Sequence, residues 1–365
     1  MSVLAAMTAG GVDHAWLHDL SPFVIRISGD FGLRWYGLSY VAGFAVAYLL
    51  LRMLARRGAT PLPADRVFDA IVTLAICAVV GGRLGYAVFY QPSLLWGFSG
   101  SFPFWSMLVL TQGGMASHGG MIGVLFGCWM LSRGFRREDG TRGPQTPMLH
   151  ATDLACLVAP PGLLLGRLAN FVNGELLGKI VSKPGEPGPW WSVRFPQEVL
   201  SGHAPELTGE QETRLVRLVG SVSPDAGFTD GYQRLVERVQ AGNADLAGQL
   251  APLLSARHPS QLYQAVSEGL LVGIAVWAVA RWRTRPGVVT GVFLIVYGAM
   301  RIVTEFYRLP DAHLEMARVA GLSRGQWLSV AMIAAGVSML VWRRLRAAES
   351  MLGWGTKPAG DAASA

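Results

Sequence analysis

Long apolar runs alternate with short polar connections along the chain, and seven runs approach membrane-spanning length: Trp35–Leu54, Phe68–Tyr90, Gly114–Leu131, Leu149–Asn173, Leu262–Ala280, Val288–Phe306 and Trp327–Trp342. A hydrocarbon core about 30 Å thick takes roughly 20 helical residues rising about 1.5 Å each. The pattern predicts an all-α integral membrane protein of about seven transmembrane helices. Between the fourth and fifth runs, residues 175–257 are mostly polar. Within them Leu215, Val216, Leu218 and Val219, then Leu235, Val236 and Val239, recur at helical spacing, which predicts short amphipathic helices in an external cap. Residues 1–346 are expected to form a single domain that includes this cap, and residues 347–365 a disordered tail.

The connections also set an orientation. Arg52, Arg56, Arg57 and Arg66 follow the first run, Arg133, Arg136, Arg137 and Arg142 the third, Arg281, Arg283 and Arg285 the fifth, and Arg343, Arg344 and Arg346 the seventh. The connection from Gln91 to Ser117 has no charged residue. Basic loops stay in the cytoplasm, so the N-terminus is expected on the periplasmic side, with the cap, and the C-terminus inside. Arg308, Arg318 and Arg324 run against this scheme, accompanied by Asp311 and Glu315. Residues 1–30 hold Asp13, His14, His18 and Asp19 where a secretory leader has a basic start and an apolar centre, so no cleaved leader is expected.

Composition narrows the class further. Of 365 residues, 51% are hydrophobic and 15% charged, against about 25% charged in soluble domains. The net charge of +7 comes from loop clusters without interleaved aromatics, so nucleic acid is not an expected partner. Cys77, Cys128 and Cys156 lie in apolar runs without metal-ligand spacing and read as core residues.

Polar residues inside the runs carry the candidate chemistry, because a charge in hydrocarbon costs several kcal/mol. Tyr36 begins the first run, Arg83 lies late in the second and His118 early in the third. Arg167, Asn170, Asn173 and Glu175 close the fourth, and Arg301 and Glu305 the sixth. With the N-terminus outside, all fall in the outer half of the bilayer. Arg167, Asn170 and Gly174 share a helical face, Glu305 is one turn from Arg301, and Arg308 follows within another turn. Such arginines suit a phosphodiester. Each feature also has a plainer reading: Arg83 and Arg308 as snorkelling side chains, the Arg301–Glu305 pair as a brace, His118 as a packed residue.

Taken together the motifs resemble those of the prolipoprotein diacylglyceryl transferases. The matching segments are Arg34-Trp35-Tyr36-Gly37-Leu38, Gly81-Gly82-Arg83-Leu84-Gly85-Tyr86, His118-Gly119-Gly120-Met121-Ile122-Gly123 and Gly166-Arg167-Leu168-Ala169-Asn170-Phe171-Val172-Asn173-Gly174-Glu175-Leu176-Leu177-Gly178. His258-Pro259-Ser260-Gln261-Leu262-Tyr263, Tyr297-Gly298 through Arg301, Glu305, Phe306, Arg308, Pro310 and Asp311, and Gly325-Gln326-Trp327-Leu328-Ser329 follow in family order. Ala169 stands where the family usually has Gly and Lys179 where it often has Arg, and Leu207–Leu254 looks longer than in typical members.

The resemblance implies an inner-membrane transferase that moves the diacylglyceryl group of phosphatidylglycerol onto the lipobox cysteine of prolipoprotein signal peptides and releases glycerol 1-phosphate. It implies phosphate recognition by Arg167 and Arg301, positioning of Arg301 by Glu305, and a head-group pocket from Tyr36, Asn170, Asn173, Glu175, Gly178, Arg83, Arg308 and Tyr297. His118 is the candidate base for the thiol, with the arginine field as the alternative activator. No metal or organic cofactor is implied, since the lipid carries its own leaving group. A midplane anion transporter would need broken helices in related halves, and a hydrolase a nucleophile elbow that the sequence lacks.

Overall fold

The computed structural model describes residues 13–28, 31–98, 100, 102–109, 114–136, 140–309 and 322–355. Arg137, Pro310, Asp311, Glu315, Arg318 and residues 356–365 lie outside the described residues. The long helices are α1 (Trp35–Arg56), α2 (Val67–Phe89), α3 (Ser117–Ser132) and α4 (Met148–Asn173). Three shorter ones follow, α5 (Gly209–Val222), α6 (Phe228–Gln240) and α7 (Ala244–Leu250), then α8 (Ser260–Ala280), α9 (Val288–Glu305) and α10 (Arg324–Leu345). Among the described residues six helices are long and apolar enough to cross a membrane. The exception among the seven expected runs is α3, whose 16 residues reach about 24 Å, short of a full bilayer. The strands are short: β1 (Trp16–Leu17), β2 (Phe23–Ser28), β3 (Phe31–Arg34), β4 (Ile180–Ser182), β5 (Val193–Arg194), β6 (Ala256–Arg257), β7 (Arg283–Thr284) and β8 (Met351–Leu352).

The chain divides into two compact units. One comprises Met1–Ala42, Leu163–Leu271 and Tyr297–Ala331; the other comprises Gly43–Gly162, Val272–Val296 and Met332–Ala365. In the first, α5, α6 and α7 bury most of the apolar positions expected from their spacing, Leu215, Leu218, Val219, Leu235 and Val239, around a fully buried Tyr232, whereas Val236 is half-buried and Val216 faces outward. A sheet of order β1-β5-β6-β4 lies in the same unit. Its register sets Val193 and Ile180 opposite Arg257, and Trp16 parallel to Val193. Two buried arginines fasten it. Arg194 pairs with Asp13 at 3.0 Å and donates to the Glu186 and Leu254 carbonyls; Arg257 pairs with Glu198 and donates to the Gly178 and His203 carbonyls. Burial alone would raise the Asp13 carboxyl, but the Gly188 amide and the Arg194 guanidinium hold it below its ordinary value.

In the second unit α2 and α3 pack through glycines, as small residues allow where helices meet in lipid. A methyl on Gly123 would overlap the Cys77 carbonyl, and one on Gly119 the Gly81 carbonyl. Gly123→Ala is therefore expected to lower stability by about 1–3 kcal/mol through overpacking, read as a fall in unfolding temperature of the purified protein. An unchanged temperature would refute this account of the crossing. Buried Asp153 accepts the Gly287 amide and the Thr290 amide and hydroxyl, each at 2.7 Å, and so caps the start of α9. Part of the expected tail is ordered: β8 pairs with β7, and the Leu352 amide donates to the Ala59 carbonyl at 3.1 Å.

Candidate active site

The end of α4 is where the site begins. The helix stops at Asn173 because Gly174 takes a left-handed φ of 67° and Leu176 follows at 56°. A side chain at Gly174 would be strained by this φ and would have to displace the Gln197 carboxamide. The segment after the turn is pinned on both sides. The Gln261 side-chain amide donates to the Glu175 carbonyl and the Ser260 hydroxyl to the Leu176 carbonyl at 2.8 Å. On the other side the Lys179 amide donates to the Tyr307 carbonyl at 2.9 Å and the Leu309 amide to the Leu177 carbonyl at 3.0 Å. The His-Pro-Ser-Gln motif thus braces the signature segment through its main chain. Gly178, expected in the head-group pocket, has no room for a side chain because the His258 carbonyl occupies that space. Arg308, opposite Gly178 in this bridge, is buried.

Two polar sets follow from this frame. In the first, Arg167 on α4 and Arg301 on α9 converge on Glu268. Arg167 Nη2 lies 3.0 Å from one carboxylate oxygen and Arg301 Nη1 3.4 Å from the other, to which the Thr304 hydroxyl also donates at 3.0 Å. Glu268 sits in a π-helical turn, Ala265–Leu271, of α8. Gly269 beside it lets α8 approach α4 closely, because a methyl there would meet Leu164 Cα at 2.7 Å. The carboxylate is fully buried, whereas the two arginines keep 19% and 18% of their side-chain surface exposed. The guanidiniums are thus anchored on a buried carboxylate while part of each arginine stays accessible. Glu305 stands 3.3 Å from Arg301 Nη2 as an ion pair without hydrogen-bond alignment, and takes the Ser323 hydroxyl at 3.3 Å. Tyr297 is a hydrogen-bonding neighbour of Arg167 and lies in the field of Glu268 and Arg301.

In the second set Asn170 donates to Glu175 at 3.1 Å and reaches the Tyr36 hydroxyl at 3.5 Å, while Asn173 donates to the other Glu175 oxygen at 3.3 Å. Asn170 is one turn beyond Arg167 on α4, so one helical face supplies both sets. Nearby, His258 stacks on Trp191 at 5.0 Å and meets Tyr263 and Tyr307 edge-on. Burial and the Lys179 charge push its imidazole below the ordinary range, towards the neutral form.

Arg83 and His118 belong to the other unit. All three guanidinium nitrogens of Arg83 face main-chain carbonyls: Nε donates to Met107 at 3.0 Å, Nη1 to Gly114 at 3.1 Å, and Nη2 to Ser106 at 2.9 Å and Val109 at 3.0 Å. This geometry clamps the connection that leads into α3. His118, in the first turn of α3, packs against Phe89 and Tyr90 with ring centroids 5.4 and 5.8 Å away. Glu268 and Thr304 did not figure among the expected site residues. Glu268 could have been found, for it is the sole charged residue between Leu262 and Ala280.

The helices define a multi-pass membrane protein, and the first set gives it paired guanidiniums of the kind that hold a phosphate. A sequence profile described as prolipoprotein diacylglyceryl transferase matches residues 22–342. Similar proteins named phosphatidylglycerol–prolipoprotein diacylglyceryl transferase include one from Bdellovibrio bacteriovorus, 39% identical over 93% of this chain and 97% of the relative. Others come from Ruegeria pomeroyi, 36% identical over 90% and 96%, and Burkholderia lata, 34% identical over 91% and 98%. The chain belongs to the prolipoprotein diacylglyceryl transferase family.

Proposed function

We propose that this chain transfers the sn-1,2-diacylglyceryl group from phosphatidylglycerol to the thiol of a prolipoprotein lipobox cysteine. The observation that carries the chemistry is the convergence of Arg167 and Arg301, from different helices, on one carboxylate position. Attack of the thiolate sulfur on the glyceryl carbon forms the thioether and breaks the carbon–oxygen bond to phosphate. The phosphodiester enters with one negative charge, and glycerol 1-phosphate leaves with two. Two guanidiniums beside the departing oxygen stabilise the charge where it develops. Tyr36, Asn170, Asn173 and Glu175 form the hydrogen-bonding wall for the glycerol head group, with Tyr297 against Arg167 and with Gly178 and Arg308 holding the adjoining segment in place. Arg83 serves by fixing the connection before α3.

The basic connections support seven spans in the bacterial inner membrane, the short α3 included, with the N-terminus and the cap of residues 175–257 in the periplasm. In this reading residues 1–346 act as one transferase domain, and the C-terminal tail is cytoplasmic. Purified folded protein given phosphatidylglycerol and a lipobox peptide is expected to add a diacylglyceryl mass to the peptide. Absence of that mass would overturn the reading. His118 takes the thiol proton. His118→Gln is accordingly expected to slow turnover at neutral pH by about 10²-fold and to recover as the pH approaches the thiol pKa near 8.5. A rate unchanged at neutral pH would assign thiol activation to the arginine field instead.

A further inference from the structure

A cavity of about 700 Å³ lies in the first unit between the end of α4, the β2–β3 hairpin and cap helix α6. It is within the size range of ligand sites. Its walls include Asn173 and Glu175, the outer members of the second polar set, and rise past Gln197 to Gln233 and Gln240 on α6. We infer that this cavity binds the extended segment of the substrate protein that immediately follows the acceptor cysteine. This inference rests on the transferase reading given above.

Three observations favour a peptide main chain. The first is chemical: four of the lining side chains are carboxamides, which can donate and accept as a peptide group requires, and the Gln197 and Asn173 side-chain oxygens are buried without a hydrogen-bond partner. Carbonyl acceptors of this kind fit main-chain N–H donors. The second is charge. Arg26 is paired with Glu237 across the cavity wall at 3.1 Å, and the Arg26 and Arg34 guanidiniums both lie over the Phe23 ring, at 4.5 and 4.6 Å. With Arg26, Arg34, Glu175 and Glu237 all in the walls, two guanidiniums and two carboxylates balance, so a second phosphate gains no net attraction here and a neutral amide chain meets no repulsion. The third is continuity: the cavity starts at Asn173, at the end of the helix that carries Arg167, so a chain leaving a cysteine bound beside Arg167 can enter it directly.

The test uses the whole protein, phosphatidylglycerol and two peptides that share a signal segment and cysteine. One ends just after the cysteine; the other continues for about eight residues, roughly the reach of an extended strand across such a cavity. Two main-chain hydrogen bonds of ordinary net strength predict a kcat/KM about tenfold higher for the longer peptide. Gln233 is exposed and Gln240 half-buried, so changing them spares the cap core. In a Gln233→Ala, Gln240→Ala variant, which leaves the Asn173 and Gln197 acceptors in place, the long-to-short ratio is expected to fall about threefold, through KM for the longer peptide. Gln233→Trp, which fills the cavity, is expected to do the same. A wild-type ratio of one, or variants that lower both peptides equally, would overturn this inference while leaving the transferase reading intact. If folded wild type modifies neither peptide, the transferase reading fails and this inference with it.

Discussion

Arg301→Ala is expected to lower kcat/KM for diacylglyceryl transfer by at least about 10³-fold while the protein stays folded. One preorganised donor aimed at developing charge is worth about 10²–10³ in rate. Arg301 contributes more than one donor, because among the described residues its loss also leaves Glu268 with a single paired cation and Glu305 with no ion pair. Arg301→Lys keeps the charge but loses the planar fork that reaches both carboxylates, so it is expected to recover only a small part of the loss. Arg167→Ala should behave like Arg301→Ala. The decisive measurement is the double variant. Two arginines acting on one phosphate form a unit, so removing both should cost little more than removing either. Fully additive losses, with folding verified by thermal denaturation, would mean that the two guanidiniums serve different places, and the phosphate assignment would fail.

The features legible in the sequence were those encoded locally. Apolar length reported the long helices, and 3.6-residue spacing reported the cap helices, whose Leu215, Val219, Leu235 and Val239 are buried as the spacing requires. The cost of intramembrane charge likewise pointed to Arg167, Arg301 and Glu305. Long-range pairing left no such trace. Strands of two residues, such as β5 and β6, have no periodicity to detect, and their partners lie far away in sequence; β1 pairs with a strand that starts at Val193. Arg83 shows a different limit. Its position identified a buried charge, but nothing local indicated that its donors would close on carbonyls between Ser106 and Gly114. Asp153 is similar, an intramembrane carboxylate whose partners are amides at the start of another helix. Charge within a span therefore marks a residue that must find partners, and only the three-dimensional arrangement separates a helix cap or loop clamp from a ligand site.

Glu268 provides the sharper test of how the arginines are set. Its two oxygens hold Arg167 and Arg301 from the buried side, and Thr304 fixes the carboxylate in turn. Glu268→Gln removes the charge at nearly constant volume, so packing around α8 is preserved while two like charges face each other without their shared counter-ion. The cluster becomes more positive by one charge, which favours an anionic lipid in the ground state. The same guanidiniums are freed from the orientation that stabilises the departing phosphate. The expected result is a split: kcat falls by about 10²-fold, and KM for phosphatidylglycerol stays level or decreases, as when an interaction specific to the transition state is lost. Glu268→Asp, shorter by one methylene, cannot span both arginines and is expected to fall between wild type and Glu268→Gln. A variant that loses thermal stability while kcat and KM stay at wild-type values would reduce Glu268 to a brace. One in which KM rises sharply with kcat preserved would mean that the carboxylate assists lipid binding directly.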